Sequence, residues 1–101
     1  MSMNPRAIAT ARRNLAQRIS RRLDVIEREN RDPNAVEGAF MRSALGHLAV
    51  DLWPSGEQAM MHAERAAIAT PQEIATAQAA NEAVTIAHLR SELEKIMQTL
   101  N

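Results

Sequence analysis

The sequence predicts an all-α protein, a bundle-like domain of four helices whose core is completed by oligomerisation. Strong helix formers dominate, with 19 Ala among 101 residues, and no alternating run of β-branched or aromatic residues predicts a strand. Three breaks combine helix-stop and helix-start signals, which divides the single domain into four helices. Leu, Ile, Val and Phe together number only 20, so the core is thin and a second copy is expected to bury more apolar surface.

The first helix is predicted over about residues 5–30. Asn4 is a favourable N-cap, and Pro5 suits the first helical position because its missing N–H is not needed there. Apolar residues at spacings of seven, four, four and three form one stripe, which should face the core. They are Ile8, Leu15, Ile19, Leu23 and Ile26.

The second helix is predicted over about residues 33–52. Asp32 provides a cap in front of a proline, and the residue before Pro54 resists the helical region, which ends the helix. Gly38 and Gly46 lie on a small-residue face of this helix. Because interior glycines weaken a helix, we expect another helix to approach this face closely.

The third helix is predicted over about residues 56–69, since Ser55 and Gln58 fit a capping box. The fourth is predicted over about residues 71–100. Thr70 provides a cap in front of another proline, and nothing interrupts the helical pattern afterwards.

The C-terminal half of the fourth helix has coiled-coil spacing. Its apolar residues alternate at three and four positions, while the first half is rich in Ala. The two halves therefore face different neighbours, and the seam pairs either with the first helix or with a second chain. The seam consists of Ile86, Leu89, Leu93, Ile96 and Leu100.

We interpret the chain as a non-enzymatic protein–protein interaction module, acting as an adaptor, inhibitor or regulatory subunit. Self-association, with a dimer favoured, is expected through the first and fourth helices. Trp53 is assigned to the interface because Trp is enriched where proteins meet, although it could instead close the end of the second helix. The predicted interface residues are Leu15, Ile19, Ile26, Leu89, Leu93, Ile96, Leu100 and Trp53.

Charge is divided unevenly along a chain whose net charge is zero. Residues 5–31 carry eight Arg and three acidic residues, whereas residues 32–101 carry four basic and nine acidic ones. The basic helix could therefore meet the acidic part of the protein, its own or a dimer mate's, or a nucleic acid. In the nucleic-acid alternative, the protein is a regulator that contacts phosphates through Arg6, Arg13, Arg21 and Arg28.

Three features weigh against the nucleic-acid alternative. Asp24 lies between Arg21 and Arg28, no aromatic residues interleave the basic ones, and the net charge is zero. In addition, 11 Arg against one Lys, together with the abundant Ala, is what a GC-rich bacterial genome produces by codon usage alone. A solvated face with internal ion pairs is therefore the simpler interpretation of the arginines.

No pattern for catalysis or metal binding is present. Without Cys, disulfides, thiolate metal clusters and Cys nucleophiles are excluded. His47 with Asp51, and His88 with Glu92, have the spacing of helix-stabilising pairs as well as of two ligands, and His62 stands alone. We therefore predict no catalytic residue, no metal, no cofactor and no small-molecule substrate.

No membrane partner is expected, because no stretch approaches the roughly 18 uncharged apolar residues that a membrane span needs. The segment Met1–Thr10 has no apolar run of the kind found in secretory signals. The expectation is a cytoplasmic protein.

Overall fold

A computed structural model describes residues 4–100, which form five α-helices, one short 3₁₀ turn and no strand. The all-α prediction is confirmed, but the helices number five rather than four. None of them is long and apolar enough to cross a membrane. The first three residues of the Met1–Thr10 segment lie outside the described range. The helices are α1 (Pro5–Arg28), α2 (Ala35–Ala49), α3 (Trp53–Arg65), α4 (Pro71–Ala80) and α5 (Ile86–Thr99), and the 3₁₀ turn is Ala66–Ile68.

Helix α1 begins where the sequence predicts. The side chain of Asn4 accepts a hydrogen bond from the N–H of Ala7 at 2.8 Å, and Pro5 occupies the first position. The helix ends at Arg28, two residues before the predicted end, because the chain turns at Asn30 with φ at 56°. Asn adopts this left-handed conformation more readily than most residues.

Helix α2 begins two residues later than predicted, and its cap is Asn34 rather than Asp32. The Asn34 side chain accepts hydrogen bonds from the N–H groups of Val36 and Glu37, both at 2.9 Å. In return the Glu37 carboxylate accepts a bond from the Asn34 N–H at 2.8 Å. This reciprocal capping box determines the start, and Asp32 instead accepts a bond from the N–H of Ile86.

Helix α3 begins at Trp53, three residues before the predicted start, and the predicted capping box at Ser55 does not form the helix start. The chain reverses at Asp51, whose φ is 63°, and Leu52 precedes the helix without a side-chain cap. Pro54 then falls in the first turn, where a missing N–H is harmless. Pro54, which the sequence analysis takes as the end signal of the second helix, therefore also belongs to the start of α3.

The predicted fourth helix over residues 71–100 is wrong, because the chain breaks between Ala80 and Ile86. Asn81 leaves the helix in an extended conformation, with φ at −135°, and its side chain donates to the carbonyl of Ala77. Thr85 then caps α5 by accepting a bond from the N–H of His88 at 3.1 Å. After the break, the Ala-rich α4 contacts α2, and the seam on α5 contacts both α1 and α2, so the expectation of wholly different neighbours is wrong.

Helix α2 contacts each of the other four helices, and α5 lies along both α1 and α2. α5 runs antiparallel to α1, since Arg90 reaches Asp24 while Leu100 lines the same groove as Arg13. α4 contributes no buried residue, so the core is made by the other helices. The buried hydrophobic residues are Leu15, Ala16, Ile19, Leu23, Ile26, Met41, Ala44, Leu45, Leu48, Ala59, Met60, Ala63, Ala66, Leu89 and Leu93.

The small-residue face of α2 has a close neighbour at Gly38 and none at Gly46. A Cβ built at Gly38 would lie 2.6 Å from Cγ2 of Val84, in the segment that joins α4 to α5. At Gly46 a Cβ would meet nothing within 4 Å. The expected close approach is found at Gly38, where it is made by the segment between α4 and α5 and not by a helix, and it is absent at Gly46.

Candidate interaction surfaces

The predicted interface residues lie mainly in the core of the single chain. Leu15, Ile19, Ile26 and Leu89 are fully buried and Leu93 nearly so, where they join α1 to α5 and the rest of the core. Of the two pairings that the sequence allows for the seam, the structure has the one with α1. These side chains cannot at the same time contact a second copy in this conformation.

The remaining predicted interface residues, Ile96, Leu100 and Trp53, are partly buried and pack against the edge of the same core. Trp53 lies at the start of α3, directly after the turn that ends α2. This position agrees with the interpretation of Trp53 as a side chain that closes the end of α2.

Four of the eight arginines in residues 5–31 form ion pairs with carboxylates that lie outside α1. Arg18 donates to both oxygens of Glu64, at 2.9 and 2.6 Å, and to Glu57, which joins α1 to α3. The hydrogen bonds with Glu64 raise the pKa of Arg18 and lower that of Glu64. Arg12 binds Asp51 at 2.8 Å, which ties α1 to the turn between α2 and α3.

The other two bound arginines meet at a fully buried carboxylate. Glu37 is 0% exposed and accepts hydrogen bonds from Arg22, from both terminal nitrogens of Arg31 and from the N–H of Asn34. Burial acts to raise the pKa of Glu37, but the bonds from Arg31, Asn34 and Arg22 outweigh it and hold the pKa below its usual value. The cluster ties α1, the following turn and the start of α2 together.

The other half of the arginines forms a separate set. Arg6, Arg13, Arg21 and Arg28, the four proposed for phosphate contacts, are all exposed. Within residues 4–100 none of them lies within 4.0 Å of a carboxylate oxygen. We call these four side chains the arginine line. Asp24, which lies beside it, is bound by Arg90 of α5 at 2.7 Å, and Arg90 also holds Glu27.

A groove of about 510 Å³ runs between α1 and α5. Its floor is apolar and includes Met97, whose side chain is 45% exposed although it follows the buried seam on α5. The floor consists of Ala16, Leu93, Met97 and Leu100, and the edges carry Arg13 and Gln17 from α1 and Arg90, Glu94 and Gln98 from α5. Sequence analysis missed this groove because Met97 lies outside the regular seam spacing.

Two further exposed apolar side chains lie at the same end of the molecule. Val50 is 64% exposed and Leu52 is 52% exposed, and they flank Asp51 in the turn between α2 and α3. Asp51 is bound by Arg12, the neighbour of the groove residue Arg13. Exposed apolar surface is thus concentrated around the groove and this turn.

The histidines form neither of the pairs that their spacing allows. The ring nitrogen Nδ1 of His47 lies 2.8 Å from the carbonyl oxygen of Ser43, and Asp51 is occupied by Arg12. His62 stacks on Phe40, with ring centroids 5.0 Å apart. His88 and Glu92 both line a shallow cleft between α2 and α5. Among residues 4–100, no group of three or more His, Asp or Glu side chains could hold a metal ion.

No protein-family model, no curated protein and no solved structure matches this chain. The functional proposals below therefore depend on the surfaces of the chain itself.

Proposed function

We propose that the protein is a non-enzymatic interaction module that pairs with a second copy of itself across the groove between α1 and α5. The observation that carries this proposal is an open groove with an apolar floor, with Arg13 on the α1 wall and Glu94 on the α5 wall both without an ion pair among the described residues. Arg90 of the α5 wall, in contrast, is bound to Asp24 and Glu27. The roles open to such a module are those of an adaptor, an inhibitor or a regulatory subunit.

The charges on the walls of the groove support a symmetric pair. Arg13 stands on the α1 wall and Glu94 on the α5 wall, and neither forms an ion pair within the described part of the chain. A two-fold axis through the groove would place Arg13 of one copy opposite Glu94 of the other, twice. An interface between identical surfaces requires this kind of self-complementarity.

The apolar contribution comes from Met97. An unbranched Met side chain adapts its shape, so Met97 of one copy can fill the groove of the other while its own groove receives the partner's Met. Val50 and Leu52, at the same end, extend the apolar area beyond the groove.

The area needed is modest for a chain of this size. A stable interface covers about 800 Å² of each partner, roughly one eighth of the 6467 Å² surface of the chain. The single-chain core is small, since five of its fifteen buried hydrophobic residues are Ala. Pairing would add the large apolar contacts that the core lacks.

The experiment is sedimentation equilibrium of the wild type and of two matched variants. Met97→Asp places a charge on the groove floor, whereas Ile68→Asp makes a comparable change at an apolar residue that is 88% exposed and distant from the groove residues in the chain. We expect twice 11.2 kDa for the wild type and for Ile68→Asp, and 11.2 kDa for Met97→Asp.

Circular dichroism of each variant shows whether the helices persist, so a change of mass in a folded variant reports on association. A wild type that sediments as a monomer up to about 100 µM would contradict pairing, because a stable interface of standard size binds more tightly than that. A dimer that Met97→Asp leaves intact would place the interface elsewhere.

A further inference from the structure

We infer that the arginine line on α1 binds the phosphate backbone of double-stranded nucleic acid. Of these four arginines only Arg13 also lines the groove, so Arg6, Arg21 and Arg28 are available for phosphate contacts whether or not two copies pair. On α1 the arginines that ion pairs occupy, Arg12, Arg18 and Arg22, lie on a different face from the arginine line.

The arginine line is long and straight. Its members are spaced by seven, eight and seven residues, which at 100° per residue keeps them within an arc of about 80°. From Arg6 to Arg28 the line extends for about 33 Å along the helix axis. Exposed Thr10, Asn14 and Gln17 lie between the arginines, and their side chains are of the kinds that also donate to phosphate oxygens.

The acidic side chains of α1 beside the line, and Glu64 of α3, are bound by other partners. Asp24 and Glu27 bind Arg90. Glu64 is held by Arg18, whose bond lowers the pKa of Glu64 most, and the charge of Arg21 also lowers it. The four arginines are therefore not neutralised by salt bridges within residues 4–100, although the whole chain has no net charge.

The surroundings of the line favour a duplex over a membrane or a single strand. Binding to a membrane surface requires an apolar face to enter the lipid, but the apolar face of α1 is buried in the core. Single-stranded nucleic acid is usually held by stacking on aromatic side chains, and α1 has none. Backbone contact with a duplex requires neither an apolar face nor an aromatic ring.

The experiment measures fluorescence anisotropy of a labelled DNA duplex of about 20 base pairs over a series of salt concentrations. Four phosphate contacts predict a slope of about −3.6 for the logarithm of the association constant against the logarithm of salt, and three predict about −2.7 if Arg13 is paired with Glu94 of a second copy. Arg6→Gln or Arg21→Gln should each make the slope less negative by about 0.9 and weaken binding about fifteenfold at ~50 mM salt. Neither residue lines the groove, so the oligomeric state should not change.

Arg65→Gln is the matched control, because Arg65 is an exposed arginine on α3 without an ion pair among the described residues. It should leave the slope and the affinity nearly unchanged. The inference is overturned if the duplex does not bind at ~20 mM salt, or if Arg65→Gln weakens binding as much as Arg21→Gln. Binding to vesicles of anionic phospholipid without binding to the duplex would also overturn it.

Discussion

Glu37 is the residue on which the charged contacts of α1 and α2 converge. It caps its own helix through Asn34 and accepts bonds from Arg22 and Arg31, while its side chain is fully buried. An ionised carboxylate is stable in such a place only with several donors around it. Removing its charge would leave Arg22 without its carboxylate partner and Arg31 with only the longer contact to Glu29, at 3.4 Å.

Glu37→Gln should lower the free energy of unfolding by about 3 kcal/mol at pH 7. This is the lower end of the range for breaking a buried ion pair, chosen because the Arg31 side chain is 32% exposed and partly screened by water. Urea denaturation measures the loss. The control is Glu82→Gln, an exposed carboxylate in the segment between α4 and α5, which should change stability by less than about 0.5 kcal/mol.

The wild type and Glu37→Gln also allow the pH dependence of this stabilisation to be tested. Because the pKa of Glu37 is lowered in the folded state, its stabilisation is fully present above the unfolded value of 4.5 and is lost as the pH falls through the folded pKa. The difference in stability between the wild type and Glu37→Gln should therefore shrink below about pH 4. A difference that stays constant down to pH 3 would mean that the carboxylate is not stabilised by these donors.

At the scale of elements, the break between α4 and α5 decides how the chain folds back. It lets α5 lie antiparallel to α1 and places Val84 against Gly38 of α2. Close packing against Val84 explains why position 38 is a glycine. No such neighbour exists at Gly46 of the same helix in the single chain.

Alanine substitutions of the two glycines should therefore have opposite effects. Gly46→Ala should raise the free energy of unfolding by roughly 0.5–1 kcal/mol, because Ala favours the helix and meets no neighbour. Gly38→Ala should lower it by about 1 kcal/mol, since overpacking against the stiff Val84 side chain exceeds that gain.

Thermal unfolding followed by circular dichroism compares the two variants. Adding Val84→Ala to Gly38→Ala should recover part of the loss, because the space that the new methyl group needs is then free. If both alanines stabilise the protein, Val84 does not pack on Gly38 and the break lies differently.

Local capping chemistry allowed some helix starts to be predicted from the sequence. Asn4 and Thr70 act as expected, since each is followed by a proline that the first turn accepts. The break at residues 81–85 was missed because no Gly or Pro marks it, and Asn81 alone also occurs within helices. The contact of Val84 with Gly38 is long-range, so no local pattern reports it. The signal that was available is Thr85, a good N-cap directly before the seam.

At the scale of the whole molecule, the arginine line and the exposed apolar side chains meet at the groove, which is lined by both Arg13 and Met97. Ion pairs of Arg18 and Arg22 join α1 to α3 and α2. Arg90 of α5 binds Asp24 between two members of the arginine line, and the four arginines of that line are exposed. Among residues 4–100, the groove and the turn with Val50 and Leu52 carry three of the five large apolar side chains that are exposed.

Helix periodicity was sufficient to predict which arginines of α1 are exposed, because the apolar stripe determines the opposite face. It was not sufficient to find the groove. Periodicity shows that Leu93 and Leu100 lie on one side of α5, but not that α1 leaves a gap above them into which Met97 is exposed. Such a gap depends on the distance between two packed helices.

The most direct test of self-association across the groove is a charge-reversal cycle, read as the dimer dissociation constant by sedimentation equilibrium. Arg13→Glu and Glu94→Arg should each weaken the dimer roughly tenfold, because each places like charges opposite one another at two symmetric positions. The double variant restores opposite charges and should return close to the wild-type constant. If the double variant loses as much dimerisation free energy as the two single variants lose together, Arg13 and Glu94 do not meet and the two copies do not pair across this groove.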